Sequence, residues 1–439
     1  MSTVPAASGG LAALEPLKAL MDACVHCGFC LSSCPSYLLE GRETESPRGR
    51  IYLMKAAVED RLVLSPPMVE HFDTCLGCLA CETACPSGVR YGPLIEATRD
   101  AIERQQPRRL GERLFRMALF AVLPYPARLR LLALPMALGR LVRGRPAILG
   151  LLPPRLRALI RLSPDGSTSR DVPEHTPAVG ATRRRVGLVT GCVQRVFFGH
   201  VNEATVHVLA QEGCEVVAPA SQGCCGALAL HAGRGDEARA FARALIDVFE
   251  RTRVETVVVN AAGCGSTLKE YGELLRHDPA WAARAKAFAA RVLDVTELVA
   301  QCRPAQATRH PLPLRVAYHD ACHLAHGQGV RQEPRAILAS IPGVSVAPVA
   351  EADICCGSAG IFNLVQPEMA ASLGQRKAAH LDRTHADVVV TSNPGCVLQI
   401  RTASRAAGQT RPVVHVLELL DASLRGVDRA TFLERSANR

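Results

Sequence analysis

The sequence predicts a multidomain α+β and α/β protein, a small helical domain followed by two copies of an α/β unit. Three observations predict it. Eight cysteines near the start fall into two copies of one run, and three landmark motifs recur at constant spacing through the second half. Each recurring stretch also alternates short β-branched runs with amphipathic ones.

The cysteine runs are Cys24-Val-His-Cys27-Gly-Phe-Cys30-Leu-Ser-Ser-Cys34-Pro35 and Cys75-Leu-Gly-Cys78-Leu-Ala-Cys81-Glu-Thr-Ala-Cys85-Pro86. This C-x2-C-x2-C-x3-C-P spacing holds paired [4Fe–4S] clusters: three thiolates wrap one face of a cubane, and the fourth, followed by a helix-ending proline, reaches across to the other cluster. The expected ligand sets are therefore crossed. One is Cys24, Cys27, Cys30 and Cys85; the other is Cys75, Cys78, Cys81 and Cys34. Structural zinc sites use paired C-x2-C units rather than a triple plus proline, which disfavours zinc. His26, inside the first triple, is either a tuner of its cluster's potential or an exposed side chain.

A chain of 439 residues, 48% of them hydrophobic, has room for two or three cores of ordinary size. Met1 to Leu20 carries no basic n-region, apolar h-region or twin-arginine pair, so the 18 cysteines are expected to be reduced thiols in the cytoplasm. No apolar stretch approaches the ~18 residues that cross a bilayer. The net charge of +10 is concentrated: Arg108 to Arg161 holds twelve arginines, one acidic residue (Glu112) and no lysine. Basicity confined to one region, with only 4% aromatic residues, argues against nucleic-acid binding.

Four regions follow. Residues 1–105 form the two-cluster domain, in which Ser46-Pro47-Arg48-Gly49-Arg50 opens a helix running through Ala57. Residues 106–180 are an arginine-rich segment of short cationic amphipathic helices broken by prolines, ending in a linker from Ser163 to Ala181. The preferred reading of residues 108–161 is peripheral contact at the inner face of the cell membrane; partner docking and a plain solvated face are the alternatives.

Residues 181–305 and 306–439 are the duplicated units. Val186-Gly-Leu-Val-Thr-Gly-Cys192 matches Val316-Ala-Tyr-His-Asp-Ala-Cys322, Cys224-Cys225-Gly226 matches Cys355-Cys356-Gly357, and Asn260-Ala-Ala-Gly-Cys264 matches Ser392-Asn-Pro-Gly-Cys396, at offsets of 130, 131 and 132 residues. In the first unit, strands are expected over 185–190, 215–219 and 256–260, with helices over 201–212 and 236–251, which implies a doubly wound parallel sheet. Each landmark cysteine follows a strand, at the sheet edge where ligand crevices form. Cys192, Cys224, Cys225 and Cys264 should converge, and so should Cys322, Cys355, Cys356 and Cys396. They could hold an additional iron–sulfur cluster, and Cys224, Cys225, Cys355 and Cys356 are candidate redox thiols. His319, Asp320 and His323 flank Cys322 as hydrogen-bond donors to sulfur or proton carriers; the first unit has no matching histidines. Cys214 and Cys302 lie outside both patterns and read as core residues.

Gly233-Arg-Gly235-Asp-Glu-Ala238 nominally fits G-x-G-x-x-A but does not directly follow a strand, so it is not taken as a dinucleotide site. With no flavin fingerprint and no P-loop, the chain would need a flavoprotein partner for two-electron oxidation of an organic substrate.

With these residues in view, the chain resembles the iron–sulfur subunits of bacterial glycolate oxidase along nearly its whole length. The likeness rests on Cys24-Val-His-Cys-Gly-Phe-Cys30, Cys34-Pro-Ser-Tyr37 and Gly41-Arg-Glu-Thr-Glu-Ser-Pro-Arg-Gly-Arg-Ile-Tyr-Leu53. The duplicated units look like the cysteine-rich domains of heterodisulfide reductase, lactate-utilisation proteins and anaerobic glycerol-3-phosphate dehydrogenase subunits. The resemblance implies a ferredoxin-like domain followed by cysteine-rich CCG domains, in an oxidoreductase subunit that takes electrons from an FAD-containing catalytic subunit and relays them towards a membrane acceptor such as quinone. Lactate or glycerol 3-phosphate oxidation, or heterodisulfide-type thiol chemistry, are the alternatives it leaves. The fullest cysteine-rich pattern ends in C-x2-C, and the first cysteine of that pair is Ala261 in one unit and Asn393 in the other.

Overall fold

The computed structural model describes residues 11–165, 169–302 and 305–438, so residues 1–10 of the expected first domain and 166–168 of the expected linker lie outside it. The chain builds a helical first domain, a set of short helices, and two α/β units, each around its own sheet.

In the first domain, Ser46 caps the helix Pro47–Val58 by accepting from the Gly49 amide, and proline occupies the first helical position, where its missing N–H costs nothing. That helix, Pro66–Asp73 and Tyr91–Gln105 enclose a core of Leu14, Met21, Met54, Phe72, Leu94 and Ile102. The two cysteine runs sit on loops beside it. Both loops take left-handed backbone at matching positions, His26 and Gly28 in one, Gly77 and Leu79 in the other. This curls the chain around its own sulfurs; the Gly77 amide, for instance, donates to Cys75 Sγ at 3.4 Å.

Among the described residues the strands are β1 (His175–Thr176), β2 (Arg184–Val189), β3 (Cys214–Val217), β4 (Thr256–Val259), β5 (Val292–Asp294), β6 (Arg315–Tyr318), β7 (Ser345–Ala347), β8 (Val388–Thr391) and β9 (Val413–His415). One sheet has the order β1-β3-β2-β4-β5 and the other β7-β6-β8-β9. All pairings are parallel except β1 on β3. β2 to β5 thus map one-to-one onto β6 to β9. In each unit the chain steps to one side of its first strand and then to the other, so the crevice at the switch point opens between β2 and β4, and between β6 and β8. The valine-rich strands are buried on both faces, as helix-covered parallel sheets require.

The expected strands and helices of the first unit are present within a residue or two of their positions. One difference concerns the linker: β1 lies inside it and pairs with the edge of β3. Two residues offer no hydrophobic period to read, and the pairing protects an edge that would otherwise be open.

The two units share one continuous core, with Leu188, Leu209 and Leu298 of the first against Val316, Leu338 and Leu417 of the second. Helix Gly199–Gln211 packs on Val416–Leu424, and Val295–Gln301 packs on Gln332–Ala339. Each contact joins the helix after the first strand of one unit to the helix after the last strand of the other. The duplicated units therefore face each other with approximate two-fold symmetry.

Candidate metal centres

The buried half of the first domain is organised around Arg50. Its guanidinium donates to Ser36 Oγ (3.0 Å), the Glu45 carbonyl (2.7 Å), the His71 carbonyl (2.6 Å) and the Glu45 carboxylate (2.8 Å). Cys34 Sγ lies 3.3 Å from Ser36 Oγ, so this network holds the last cysteine of the first run. Burial disfavours ionising Cys75, but Arg50 and Arg99, the Gly77 amide and the Tyr91 hydroxyl outweigh it and hold this thiol below its ordinary range. Thiolate is the ligand form, and cationic neighbours offset the negative charge of a thiolate-bound cluster.

Cys34 also lies near Cys78 and Cys81, and near Cys30 of its own run, as its influence on those three thiols shows. Cys24 and Cys30 interact with each other and, with Cys85, flank the same core from its more exposed side. Cys75, Cys78 and Cys81 are buried, whereas Cys27 is exposed. Four closely placed thiols on glycine-hinged loops beside a buried arginine fit a [4Fe–4S] cluster. His26 is exposed, edge-on to Tyr52 at 6.3 Å between ring centroids.

The thiols of each α/β unit converge. Cys192 Sγ lies 3.7 Å from Cys224 Sγ, and contacts continue through Cys225 to Cys264. The same row runs from Cys322 through Cys355 and Cys356 to Cys396. The glycine after each cysteine pair is left-handed, and a Cβ at Gly226 or Gly357 would press on the Ala238 carbonyl at 3.1 Å or the Ala370 carbonyl at 2.8 Å. Any side chain there would press on helix Gly235–Thr252 or helix Pro367–Asp382 beside the thiols. Cys264 and Cys396 stand in the first turns of helices Ala262–Lys269 and Pro394–Ala406. Contact with the neighbouring sulfur, together with burial, pushes the free Cys192 and Cys322 thiols well above the ordinary range. A thiophilic metal would take the place of those protons, so the donor sets fit a further metal centre.

The two rows are not equivalent in their surroundings. Cys78 of the first domain packs in one buried cluster with Cys322 and Cys355 of the second unit. The second cysteine loop sits against a π-helical turn, His323–Gly327, that directly follows Cys322; Thr83 and His326 Nδ1 meet at 3.0 Å. Such turns recur at functional sites. The first unit's row is reached from the second through paired loops: the Ala262 amide donates to the Ser392 carbonyl (3.2 Å) and the Gly263 amide to Asn393 Oδ1 (3.3 Å).

Several site neighbours carry no sequence signal. Arg99 Nη1 donates to the His231 carbonyl at 2.9 Å and thereby ties the cysteine loop to the first unit. His231 lies against His323 with the rings tilted, 4.8 Å between centroids, and meets Glu96 at 3.2 Å. Burial pushes Glu96 up to about 7 and, with the Glu96 charge adding to it, Glu270 up to about 8. These partners are 92 to 174 residues apart in sequence, so no local spacing could reveal them. Gly233 and Gly235 pack on Arg99 and Asp100, which fills the space a phosphate would need. Cys214 and Cys302 are buried in the core of the first unit.

The arginines of residues 108–161 are largely paired within the chain. Arg108 bridges Asp73, Glu103 and Glu112, Arg130 reaches Asp171, and Arg143 reaches Asp165. Arg109, Arg113 and Arg145 have no acidic partner among the described residues. Among those residues, no helix is long and apolar enough to cross a membrane.

Known proteins share this organisation. Residues 20–89 match the 4Fe-4S dicluster domain, and residues 186–269 and 316–401 match the cysteine-rich domain family. The chain is 39% identical to a probable glycolate oxidase iron–sulfur subunit of Bacillus subtilis, over 90% of this chain and 92% of that protein. It is 34% identical to the glycolate oxidase iron–sulfur subunit of Escherichia coli, over 92% and 94%. It is 31% identical to a lactate utilization protein of Oceanobacillus iheyensis, over 55% of this chain and 98% of that protein. Twin cysteine runs, two cysteine-rich units and likeness along the whole chain agree: the chain belongs to the family of glycolate oxidase iron–sulfur subunits.

Proposed function

We propose that this chain is the electron-transfer subunit of a glycolate-oxidising complex, in which an FAD-containing partner oxidises glycolate to glyoxylate and this chain passes the electrons towards a quinone or another membrane acceptor. The observation that carries the reading is the packing of Cys78 against Cys322 and Cys355, which sets the first domain's buried ligands directly beside the second unit's thiol row. Cys24, Cys27, Cys30 and Cys85 would hold one [4Fe–4S] cluster and Cys75, Cys78, Cys81 and Cys34 the other. Bound there, the clusters exchange single electrons and so divide a two-electron oxidation into separate steps. Arg50 and Arg99 favour the Cys75 thiolate, Tyr91 donates to Cys75 Sγ at 3.7 Å, and Leu76 and Phe362 pack with Cys78, Cys322 and Cys355 between the two sites. Burial of Cys224, Cys225, Cys355 and Cys356 speaks against direct attack by them on a disulfide substrate.

Peripheral membrane contact has an observation of its own. Leu110, Leu114 and Met117 form an exposed stripe along one helix, Leu131 (78% exposed) and Leu151 (85%) protrude nearby, and Arg109, Arg113 and Arg145 flank them. An apolar stripe beside unpaired cations suits an anionic lipid surface.

The test is substrate-dependent dye reduction by the complex captured through a tag on this chain. Glycolate should drive reduction, and removal of the co-captured flavoprotein should abolish it. Reduction driven by lactate or glycerol 3-phosphate instead would keep the relay and change the substrate; disulfide reduction by the isolated chain would overturn the reading.

A further inference from the structure

The two thiol rows differ at one position that their shared topology makes directly comparable. At the end of β6, three residues before Cys322, stands His319; the counterpart at the end of β2 is Val189. His319 is fully buried. Its Nδ1 lies 3.0 Å from the Ala352 carbonyl. A carbonyl only accepts, so Nδ1 carries the ring proton and Nε2 presents a lone pair. Nε2 has no hydrogen-bond partner among the described residues, a costly state for a buried polar atom. A ring nitrogen of His319 and the sulfurs of Cys356 and Cys396 all lie within 4.8 Å of one another. The position at which the fullest cysteine-rich pattern has a further thiol is Asn393, whose amide donates to Cys396 Sγ at 3.6 Å and so supports a ligand without being one.

We propose that His319 Nε2 is a metal ligand, so that the second unit holds a mixed nitrogen–sulfur iron centre with Cys322, Cys355, Cys356 and Cys396, whereas the first unit can offer only sulfur. The fixed tautomer is the arrangement metal-binding histidines show, one ring nitrogen donating to a carbonyl and the other facing the metal. Iron is favoured over zinc because the row abuts Cys78, a ligand of the proposed relay, where a redox-inert ion would serve no electron. Imidazole in place of thiolate also removes a negative charge, which raises the reduction potential of an iron–sulfur centre. The second unit's centre would then draw electrons out of the first domain.

The inference rests on the relay reading for its choice of iron, and the test needs no substrate. Anaerobically prepared full-length protein, labelled with 15N only in histidine, is poised across a range of potentials and examined by pulsed electron paramagnetic resonance, with iron and zinc counted. Expected is iron beyond the eight atoms of two cubanes, and one signal beyond the two of the first domain carrying a strong 15N coupling. That coupling is lost in His319→Ala and in His319→Gln, and in His319→Cys the centre remains, uncoupled and at lower potential. Further signals none of which carries 15N coupling, a coupling that survives in the variants, zinc in the second unit, or no signal or metal beyond the two cubanes would each overturn the proposal. Glycolate-driven dye reduction by the captured complex, measured alongside, reports separately whether the relay reading stands.

Discussion

Arg50 shows how much one buried charge can organise. Its guanidinium and the Glu45 carboxylate are almost entirely buried, each 1% exposed, and the pair fixes Ser36, Thr74 and the His71 carbonyl around Cys34 and Cys75. Removing one member of such a pair strands the other, so Arg50→Ala should destabilise the first domain by about 3–5 kcal/mol, read as a fall in chemical-denaturation midpoint. Arg50→Lys keeps the charge but loses the fork, and should lose part of that stability and release iron faster. Cys34 provides the second prediction at this scale. With the ligand sets crossed, Cys34→Ser should alter the resonance signal of the buried cluster while the signal of the more exposed one persists; the reverse pattern would uncross them. The cysteine spacing made the eight ligand candidates legible, because three thiolates of each cubane fall two residues apart in one repeated run. The arginine's role was not legible, since its partners are scattered over 38 positions from Ser36 to Thr74.

Helix Tyr91–Gln105 carries Glu96 into the contact between the first domain and the first unit, where it faces Glu82, Arg99, His231 and Glu270. Its pKa, raised by burial to about 7, exceeds the value of about 4.3 in an unfolded chain. A carboxyl raised in this way contributes its full stability below the unfolded value and loses it as pH rises through the folded one. Stability should therefore decline between about pH 4.5 and 8 as Glu96 and then Glu270 ionise. Glu96→Gln should be nearly neutral at pH 5 and stabilising by about 2–3 kcal/mol at pH 8, measured as denaturation midpoints at the two pH values. The helices of residues 110–161 support a separate prediction. The chain should sediment with anionic lipid vesicles and be released by high salt, and Leu110→Glu with Leu114→Glu should weaken binding at least tenfold. Arginine periodicity foretold these helices, but the sequence could not show that Glu112, Asp165 and Asp171 would claim much of their charge.

The whole molecule places two related units face to face and sets Cys78 of the iron–sulfur domain against the second unit's thiol row. Because the units share a core, a cavity on one side should be felt on both: Leu417→Ala should cost about 2–5 kcal/mol, and the units should unfold in a single transition by calorimetry. Much of this plan was legible. Three motifs at offsets of 130 to 132 residues revealed the duplication, and strand-ending cysteines located both thiol rows. The asymmetry was not legible, because the approach of Cys78 to Cys322 depends on how separately folded parts pack, and packing leaves no period in a sequence. Whether electrons from glycolate pass into this chain is tested most directly by rapid-freeze electron paramagnetic resonance of the captured complex after anaerobic mixing with glycolate. Reduced-cluster signals from the first domain should rise within the turnover time of the complex, and the buried cluster's signal should be lost in Cys78→Ser. Clusters that stay oxidised while the flavin is reduced and the dye still turns over would contradict the relay.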